Sequence, residues 1–310
     1  MFDEAHPRMS LNMATIRRAG LREAIDAATG VGISSLGLWW EPVRDIGVRR
    51  SAEMLREAGM RFSGVCRAGY FVADTAAGAR AALDEARRSI VDTAELAAHG
   101  EPGSSKVLVI VAGGMPPGSR DVIGARQSTR DAIASLAHEA AAAGITLAIE
   151  PLHPMFAADR GVVSTLSQAL DIAEECGPDV GVVVDTYHVW WDPEVLAQIA
   201  RAGRSGRIAA YQVSDWVTPL PEGVLLGRGL PGEGVIDFDS LTSAVLEAGY
   251  RGDIEVEIFN QRIWDLDFPD AAQAAVTAFW QNVRVPWAAE RPVAREGRGG
   301  PRGPSRSVSS

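Results

Sequence analysis

Eight short runs of β-branched and other apolar residues recur along this chain, and a longer stretch with helical periodicity follows each of them. Such alternation predicts repeated βα units whose strands lie parallel in one sheet. The predicted strands span residues 9–13, 32–39, 61–67, 106–111, 146–150, 180–185, 208–214 and 253–259. The predicted helices lie around residues 16–28, 47–58, 80–98, 121–143, 164–176, 193–202, 237–248 and 269–283. Eight units in 310 residues favour an α/β fold of the (β/α)8 or TIM barrel type over a doubly wound sheet, which more often has fewer units and a glycine-rich first turn.

The chain length is compatible with one domain and one large core. Of the 310 residues 46% are hydrophobic, and a barrel of roughly 250 residues with extensions accounts for most of them. We assign residues 1–285 to this barrel. Residues 286–310 are rich in Gly, Pro, Ser and Arg and lack apolar periodicity, so we expect a disordered basic tail there.

Charge and cysteine content narrow the class of protein. The formal net charge is −10, and such an excess of acidic groups repels nucleic acid. Cys66 and Cys176 lie far apart without a CxxC pair, which argues against a disulfide framework and a thiolate metal site and favours a reducing, cytoplasmic location. The N-terminal residues do not resemble a signal peptide, and no apolar segment reaches transmembrane length, so we expect neither secretion nor a membrane partner.

Four consecutive predicted strands end in oxygen-bearing side chains, Glu150, Asp185, Gln212 and Glu257. In an α/β barrel the active site lies at the carboxyl ends of the strands, so these side chains should meet. Three carboxylates at one point repel each other in surroundings of low dielectric constant, and a divalent cation relieves that repulsion. Oxygen ligands favour a hard ion over zinc. We therefore predict one Mn²⁺ or Mg²⁺ bound by these four residues.

Each of these ligands also has a structural alternative. Asp185 could cap a following helix, although it lies too far upstream of the next long predicted helix to be its N-cap. Glu255 and Glu257 share one face of their strand, and Glu257 is favoured as the ligand because it lies nearer the strand exit. Gln212 could instead hydrogen-bond a residue of a neighbouring strand.

Histidines and tryptophans follow several strand ends. His153 and His188 lie in predicted loops and are candidates for general acid/base catalysis or substrate contact. Indole rings there could stack on a sugar or an aromatic aglycone, or simply pack the loops together. The tryptophans in question are Trp39, Trp40, Trp190, Trp191, Trp216 and Trp264.

Taken in order, these residues resemble the sugar phosphate isomerase/epimerase superfamily with its xylose-isomerase-like barrel. The resemblance covers nearly all of the chain before the tail. It rests on Glu150, Asp185-Thr-Tyr-His188, the polar residue of strand seven, the segment 227–237 and Val256-Glu257. It implies that Glu150, Asp185, the strand-seven residue and Glu257 bind a divalent metal, and that the two glutamates move a proton beside a ketose carbonyl. It also implies that Arg228 and His188 contact the substrate.

One residue departs from the family pattern, because Gln212 stands where the family usually has histidine. This glutamine, Asp215-Trp216 and the run Arg-Gly-x-x-Gly-x-Gly-Val-Ile-Asp from Arg228 are also similar to the large subunits of bacterial C-glycoside deglycosidases, which cleave 3-keto C-glycosides. A small second subunit would be the partner in that case. Otherwise the expected partners are a small sugar or glycoside and, in a homo-oligomer, further copies of the chain.

We therefore predict a divalent-metal-dependent isomerase or epimerase that acts on a keto sugar or keto-inositol through an enediolate. The alternatives are a lyase acting on 3-keto glycosides, a keto-inositol dehydratase and a binding barrel without activity. The absence of a recognisable phosphate cradle favours an unphosphorylated substrate. The assigned catalytic residues are Glu150, Glu257 and His153, and the assigned substrate-binding residues are His188, Arg228, Trp216 and Trp39.

Two other enzyme classes of this fold are disfavoured. A Schiff-base aldolase needs a lysine at the catalytic end, whereas Lys106, the sole lysine, opens strand four at the opposite end. The related apurinic endonucleases need a multi-zinc centre with more histidines than His153 and His188, and an acidic protein disfavours DNA.

Overall fold

The protein was analysed as a computed structural model, which describes residues 8–221 and 223–283. Eight parallel strands close into a barrel in which each strand pairs with its neighbours in the sequence and the first pairs with the last. The strands are β1 (Met9–Asn12), β2 (Ser35–Trp39), β3 (Arg61–Gly69), β4 (Val107–Val111), β5 (Thr146–Ile149), β6 (Val180–Asp185), β7 (Ile208–Val213) and β8 (Ile254–Val256). The predicted (β/α)8 barrel is therefore confirmed, whereas the predicted tail at 286–310 lies outside the described residues.

Helices surround the barrel and connect its strands. They are α1 (Leu21–Gly30), α2 (Trp40–Ile46), α3 (Val48–Glu57), α4 (Ala76–His99), α5 (Val122–Ala142), α6 (Leu166–Cys176), α7 (Thr186–Val189), α8 (Val195–Arg204), α9 (Phe238–Glu247), α10 (Gln261–Trp264) and α11 (Phe268–Asn282). Thr75, Asp121 and Thr165 each cap a helix by accepting a hydrogen bond from a backbone N–H of its first turn. Within the described ranges, none of the helices combines the length and the apolar character that crossing a bilayer requires.

The structure differs from the sequence prediction in the connections after the strands. The predicted helix at 47–58 begins at Val48, and α2 precedes it without having been predicted. Gly47 separates the two helices with a φ of 96°, a conformation that ends one helix before the next starts. Helices α7 and α10 were also missed, because four residues are too few to show a helical period.

Alternate residues of the strands face the barrel interior, as the two-residue period of a strand requires. Leu108 and Ile110 of β4 pack outward against the helices, whereas Val107 and Val109 pack inward. The interior apolar cluster consists of Cys66, Val107, Val109, Ala148, Val183 and Ala210. The same alternation decides which polar residues near the strand ends point into the barrel.

A polar layer centred on Glu255 fills the side of the barrel interior that lies opposite the apolar cluster. Its carboxylate accepts hydrogen bonds from Asn12 Nδ2, Gln212 Nε2 and Ser63 Oγ. Burial raises the pKa of Glu255, and these three hydrogen bonds oppose that rise. Gly37 leaves room for the carboxylate, because a Cβ at this position would lie 2.5 Å from Glu255 Cδ. This layer supports the site above it.

Candidate active site

The inward-facing positions of three neighbouring strands lead directly to the polar side chains at the carboxyl end of the barrel. Two residues beyond the interior residues Ala148, Val183 and Ala210 stand Glu150, Asp185 and Gln212. These three side chains therefore point to the same side of the sheet as the interior cluster. Their exposed fractions are 7%, 0% and 1%, so ionised groups here have little water to stabilise them.

Asp185 has two roles. Its Oδ1 accepts a hydrogen bond from Tyr187 N at 2.8 Å and thereby caps α7. Its Oδ2 lies 2.9 Å from Arg228 Nη1. The expectation that Asp185 is not an N-cap holds for the long helix downstream but is wrong for the short helix directly after β6, which the sequence did not reveal. The cap fixes one oxygen and leaves the other for a cation.

His188 lies among the carboxylates, with Nε2 at 3.8 Å from Glu150 Oε1 and at 3.7 Å from Asp185 Oδ2. Its Nδ1 accepts a hydrogen bond from the backbone N–H of His153 at 3.2 Å. Burial and the nearby guanidinium of Arg228 hold the pKa of His188 well below its usual value, so the ring is neutral. Its Nε2 also lies 3.0 Å from Arg228 Nη2, a group that can only donate. Both ring nitrogens of His188 therefore face hydrogen-bond donors of the protein.

Arg228 is the positive charge at the centre of the site. It lies on a short antiparallel ribbon, Arg228–Gly229 paired with Asp215–Trp216, which follows β7. Its Nη1 lies 2.9 Å from Asp185 Oδ2 and 3.0 Å from Glu257 Oε2. Burial alone would lower the pKa of this guanidinium, but the carboxylates of Asp185 and Glu257 raise it overall. These two ion pairs hold the guanidinium beside the carboxylates.

Glu257 and Glu255 occupy different levels. Glu257 lines the cavity above the barrel, whereas Glu255 belongs to the polar layer beneath it. Gln212 donates from Nε2 to Glu255 Oε1 at 2.7 Å, which is the cross-strand bond that the sequence left open as an alternative. Its Oε1 is buried and has no hydrogen-bond partner among the described residues. This oxygen remains available to a ligand.

The carboxyl groups of the site have strongly perturbed acidities. Burial raises the pKa of Glu150 well above its usual value, and the charges of Glu257 and Asp185 add to the rise. Burial raises the pKa of Glu257 to about 8, although Arg228 partly offsets the effect. Asp185 is shifted in the same direction, again chiefly by burial. Two glutamates whose pKa is raised by burial suit proton transfer.

A cavity of about 490 Å³ opens above these residues. Glu150, His188, Arg228 and Glu257 form its base. Trp39 forms part of the wall, where its Nε1 donates to Asn12 Oδ1 at 2.8 Å and its ring meets Phe259 edge to face. The predicted contact of Trp39 with a substrate stays a prediction, but its indole face has access to one.

The described residues that line this cavity do not include His153 or Trp216. Instead the two rings pack on each other with their centroids 4.7 Å apart. Trp216 also packs against Tyr187 at 4.8 Å. Burial lowers the pKa of His153 to about 4, so its ring is neutral at physiological pH. The assignment of His153 to catalysis and of Trp216 to substrate binding finds no direct contact with the cavity to support it.

Sequence reasoning named Asp215 only as part of a resemblance, without a structural role, and it missed Arg67. Asp215 is 1% exposed and accepts hydrogen bonds from the backbone N–H groups of Trp216, Gly232, Gly234 and Ile236. It thereby holds the loop that carries Arg228. The signal was an aspartate beside a strand end followed by a glycine-rich segment. Arg67, at the end of β3, lines the cavity and could have been found by extending the inspection of strand ends to the first half of the barrel.

Ligand atoms of Glu150, Asp185 and His188 all lie within 4.8 Å of one another and form a group that could hold a metal ion. His188 Nε2 lies 3.0 Å from Arg228 Nη2, and the positive charge of this guanidinium disfavours the binding of a cation by that nitrogen. Two further oxygen ligands are available near these residues. Glu257 is paired to the same Arg228 nitrogen as Asp185, and Gln212 Oε1 has no hydrogen-bond partner among the described residues. The donors present therefore fit a hard divalent cation.

Known proteins with related sequences are sugar isomerases and epimerases. The model of the xylose isomerase-like TIM barrel family matches residues 20–281. An inosose isomerase of Halalkalibacterium halodurans is 29% identical over 154 residues, which is 48% of this chain and 52% of that protein. An L-ribulose 3-epimerase of Mesorhizobium japonicum is 27% identical over 168 residues, 54% of this chain and 49% of that protein. The chain thus spans about half the length of these curated relatives.

A solved structure resembles the whole barrel. The protein SMc04130 from Sinorhizobium meliloti 1021 superposes with a TM-score of 0.83 and is 42% identical. The match covers 88% of this chain and 97% of that one. The similarity therefore extends over the whole barrel and is not confined to one segment of it.

Proposed function

This chain belongs to the xylose isomerase-like TIM barrel family, and from that premise we propose that it is a divalent-metal-dependent isomerase or epimerase of a keto sugar or keto-inositol. The observation that carries the proposal is the pair of buried glutamates, Glu150 and Glu257, which line one cavity. Their carboxyl groups have a raised pKa and flank a neutral histidine and an arginine. The names of the matched relatives, an inosose isomerase and an L-ribulose 3-epimerase, support the substrate class.

Glu150, Asp185, Glu257 and the amide oxygen of Gln212 would hold the metal ion. A bound Mn²⁺ or Mg²⁺ would polarise the carbonyl and hydroxyl oxygens of the substrate. The oxygen set at the site and the unpartnered Gln212 Oε1 support these four as the ligands. His188 and Arg228, which line the cavity, then remain to contact substrate oxygens, and Arg228 would donate to them through its guanidinium.

The two glutamates divide the proton transfers between them. One carboxylate removes the proton from the carbon beside the carbonyl, which converts the substrate to an enediolate. The other, in its acid form, returns a proton to the opposite face of the same carbon in an epimerase, or to the neighbouring carbon in an isomerase. Microscopic reversibility then exchanges their roles. Burial raises the pKa of both groups in the metal-free protein, which favours proton uptake by the glutamate that acts as the base.

Exchange of substrate hydrogen with solvent tests this proposal. The metal-loaded protein is incubated with inosose, ribulose, fructose and psicose in D2O, and NMR follows deuterium uptake beside the carbonyl. We expect exchange with at least one ketose and a loss of roughly 10²- to 10⁴-fold in Glu257→Gln. Glu247→Gln, an exposed glutamate on α9, is the matched control. Equal exchange rates in Glu257→Gln and the control would refute the acid/base role.

Metal binding should depend on pH. Burial raises the pKa of Glu150, Asp185 and Glu257, so between about pH 4.5 and 8 the metal-free native protein binds more protons than the unfolded chain. The stability of the metal-free protein therefore falls as the pH rises through this window. Mn²⁺ displaces these protons and should raise the melting temperature more at about pH 8 than at about pH 5.5. Differential scanning fluorimetry with and without MnCl₂ measures this, and an equal rise at both pH values would contradict it.

The lyase alternative makes a different demand on His153. Aglycone departure from a 3-keto glycoside needs a general acid beside the leaving group, and loss of such a group typically costs ~10²- to 10⁴-fold in rate. His153 does not contact the cavity and its pKa is lowered to about 4, so we expect His153→Ala to reduce ketose exchange less than about 5-fold. Aglycone release from 3-keto glycosides that His153→Ala abolishes, without ketose exchange, would favour the lyase.

A further inference from the structure

We propose that the cavity takes a substrate with an oxyanion, either a carboxylate or a phosphate, and that Arg67 binds this group. The inference rests on the proposed function for the reacting end of the substrate and extends it by naming a charged group elsewhere on the same molecule. A phosphate at this position would depart from the expectation of an unphosphorylated substrate. Arg67 lies at the end of β3, so the oxyanion would lie on the β2–β3 side of the cavity, away from the ends of β6 and β7.

Arg67 is a cavity-lining cation without a carboxylate of its own. It forms no ion pair and no hydrogen bond with any residue in the described ranges. Arg228, by contrast, pairs with Asp185 and Glu257 within the same cavity base. The Arg67 guanidinium is partly exposed, and its N–H groups are open to an acceptor that enters the cavity.

Aromatic stacking holds the Arg67 guanidinium while its N–H edges stay free. Its Cζ lies 4.4 Å from the ring centroid of Tyr70 and 5.8 Å from that of Trp39. Stacking uses the face of the guanidinium plane, and bidentate binding of a carboxylate or phosphate uses the edge. The two interactions are therefore compatible, and the stacking on Tyr70 and Trp39 orients the guanidinium for binding an oxyanion.

The platform beneath Arg67 is itself fixed. Tyr70 has a φ of 57°, in the left-handed region, and its N–H donates to Val111 O at 2.8 Å. Gly113 approaches so closely that a Cβ there would lie 2.9 Å from Tyr70 Cα. A ring held in this way positions the guanidinium before a ligand arrives, which lowers the entropic cost of binding.

The outer part of the cavity carries further charged side chains. The outer cavity wall adds Arg17, Arg18 and Arg160 against Glu41 and Asp45. Of these arginines, Arg160 already pairs with Asp159 at 3.5 Å and Arg17 stacks on Trp264 at 5.3 Å. With Arg160 paired to Asp159, the two remaining arginines match the two acidic residues, so the outer wall adds no net charge to that of Arg67.

The test compares three ketoses that differ only at C6, namely D-fructose, D-fructose 6-phosphate and the 6-carboxylate D-fructuronate. Calorimetry measures binding to the Mn²⁺-loaded protein, and NMR in D2O measures exchange. We expect the better of the two anions to bind at least ~10-fold more tightly than D-fructose, and Arg67→Gln to weaken that anion by ~10- to 100-fold while changing D-fructose less than 3-fold. The preferred anion identifies the oxyanion as carboxylate or phosphate.

Two further variants make the result decisive. Arg160→Gln, a cavity-lining arginine that already has a partner, should leave the anion preference unchanged. Arg67→Lys keeps the positive charge but loses the planar guanidinium that binds an oxyanion through two N–H groups, so it should retain part of the anion preference. This variant also provides a test if Arg67→Gln folds poorly. If no ketose exchanges but Arg67→Gln still weakens anion binding, the proposed function fails and the anion site stands. An equal effect of Arg67→Gln or Arg67→Lys on all three sugars, or tighter binding of D-fructose than of both anions, overturns the inference.

Discussion

Replacement of Asp185 by asparagine, or of Glu150 by glutamine, is expected to abolish binding of the divalent cation and to lower kcat/KM by at least roughly 10²- to 10³-fold. Each change removes a buried negative charge next to Arg228 and His188. The remaining carboxylates then form an ion pair with Arg228 and leave less charge for a cation. Elemental analysis of the purified variants and ketose exchange measure the two effects.

Controls separate metal loss from misfolding. Asp131→Asn, an exposed aspartate on α5, is the matched control and should keep its metal. Circular dichroism should give the same helix content for all variants, because the amides of asparagine and glutamine can still accept the existing hydrogen bonds. Undiminished metal in both Asp185→Asn and Glu150→Gln would show that the cation, if one binds, lies elsewhere.

The second large effect is expected at Asp215, which touches neither the cavity nor a reacting group. Asp215→Ala removes the acceptor of four backbone N–H bonds of 2.8 to 3.0 Å, from Trp216, Gly232, Gly234 and Ile236. The bonds from Trp216 and Ile236 are buried and those from Gly232 and Gly234 are partly buried, so their loss should reduce the free energy of unfolding by roughly 3 to 5 kcal/mol. The loop cannot easily compensate, since a Cβ at Gly234 would already lie 2.1 Å from Trp216 O.

Activity should fall with stability in this variant, because the ribbon that pairs Trp216 with Arg228 begins at Asp215. We expect Asp215→Ala to lower kcat/KM ~10²-fold even below its unfolding temperature, as a small displacement of a positioned group can cost this much. Asp215→Asn keeps one oxygen acceptor and should recover part of both losses. Asp237→Ala, which removes an exposed cap of α9, should cost only ~1 kcal/mol. Urea unfolding measures the stabilities, and equal losses at positions 215 and 237 would contradict the anchoring role.

The base of the site could be predicted because it depends on strand ends and on the two-residue period alone. Glu150, Asp185 and Gln212 follow interior positions of their strands by two residues, and this spacing can be counted in the sequence. The choice of Glu257 over Glu255 followed from the same reasoning, and the structure places them in the cavity and in the layer below it respectively.

Loop residues could not be placed in this way. His153 and Trp216 both follow strand ends, yet their rings pack on each other outside the cavity wall. Which side of a loop a ring occupies depends on its neighbours in space, and no periodicity encodes that. Arg67 was not singled out in the sequence, because its position beside Tyr70 and Trp39 in the cavity is visible only in the structure.

The close approach of Gly37 to Glu255 links two positions that lie 218 residues apart in the chain. Any larger residue at 37 would strike the buried carboxylate, so alanine becomes tolerable there only after Glu255 has been shortened or lost. Shortening Glu255 first would leave Gln212, Asn12 and Ser63 without their shared acceptor. Whichever residue is replaced first, the single variant is destabilised. We therefore expect related sequences either to keep both Gly37 and Glu255 or to replace both, so that the two positions covary.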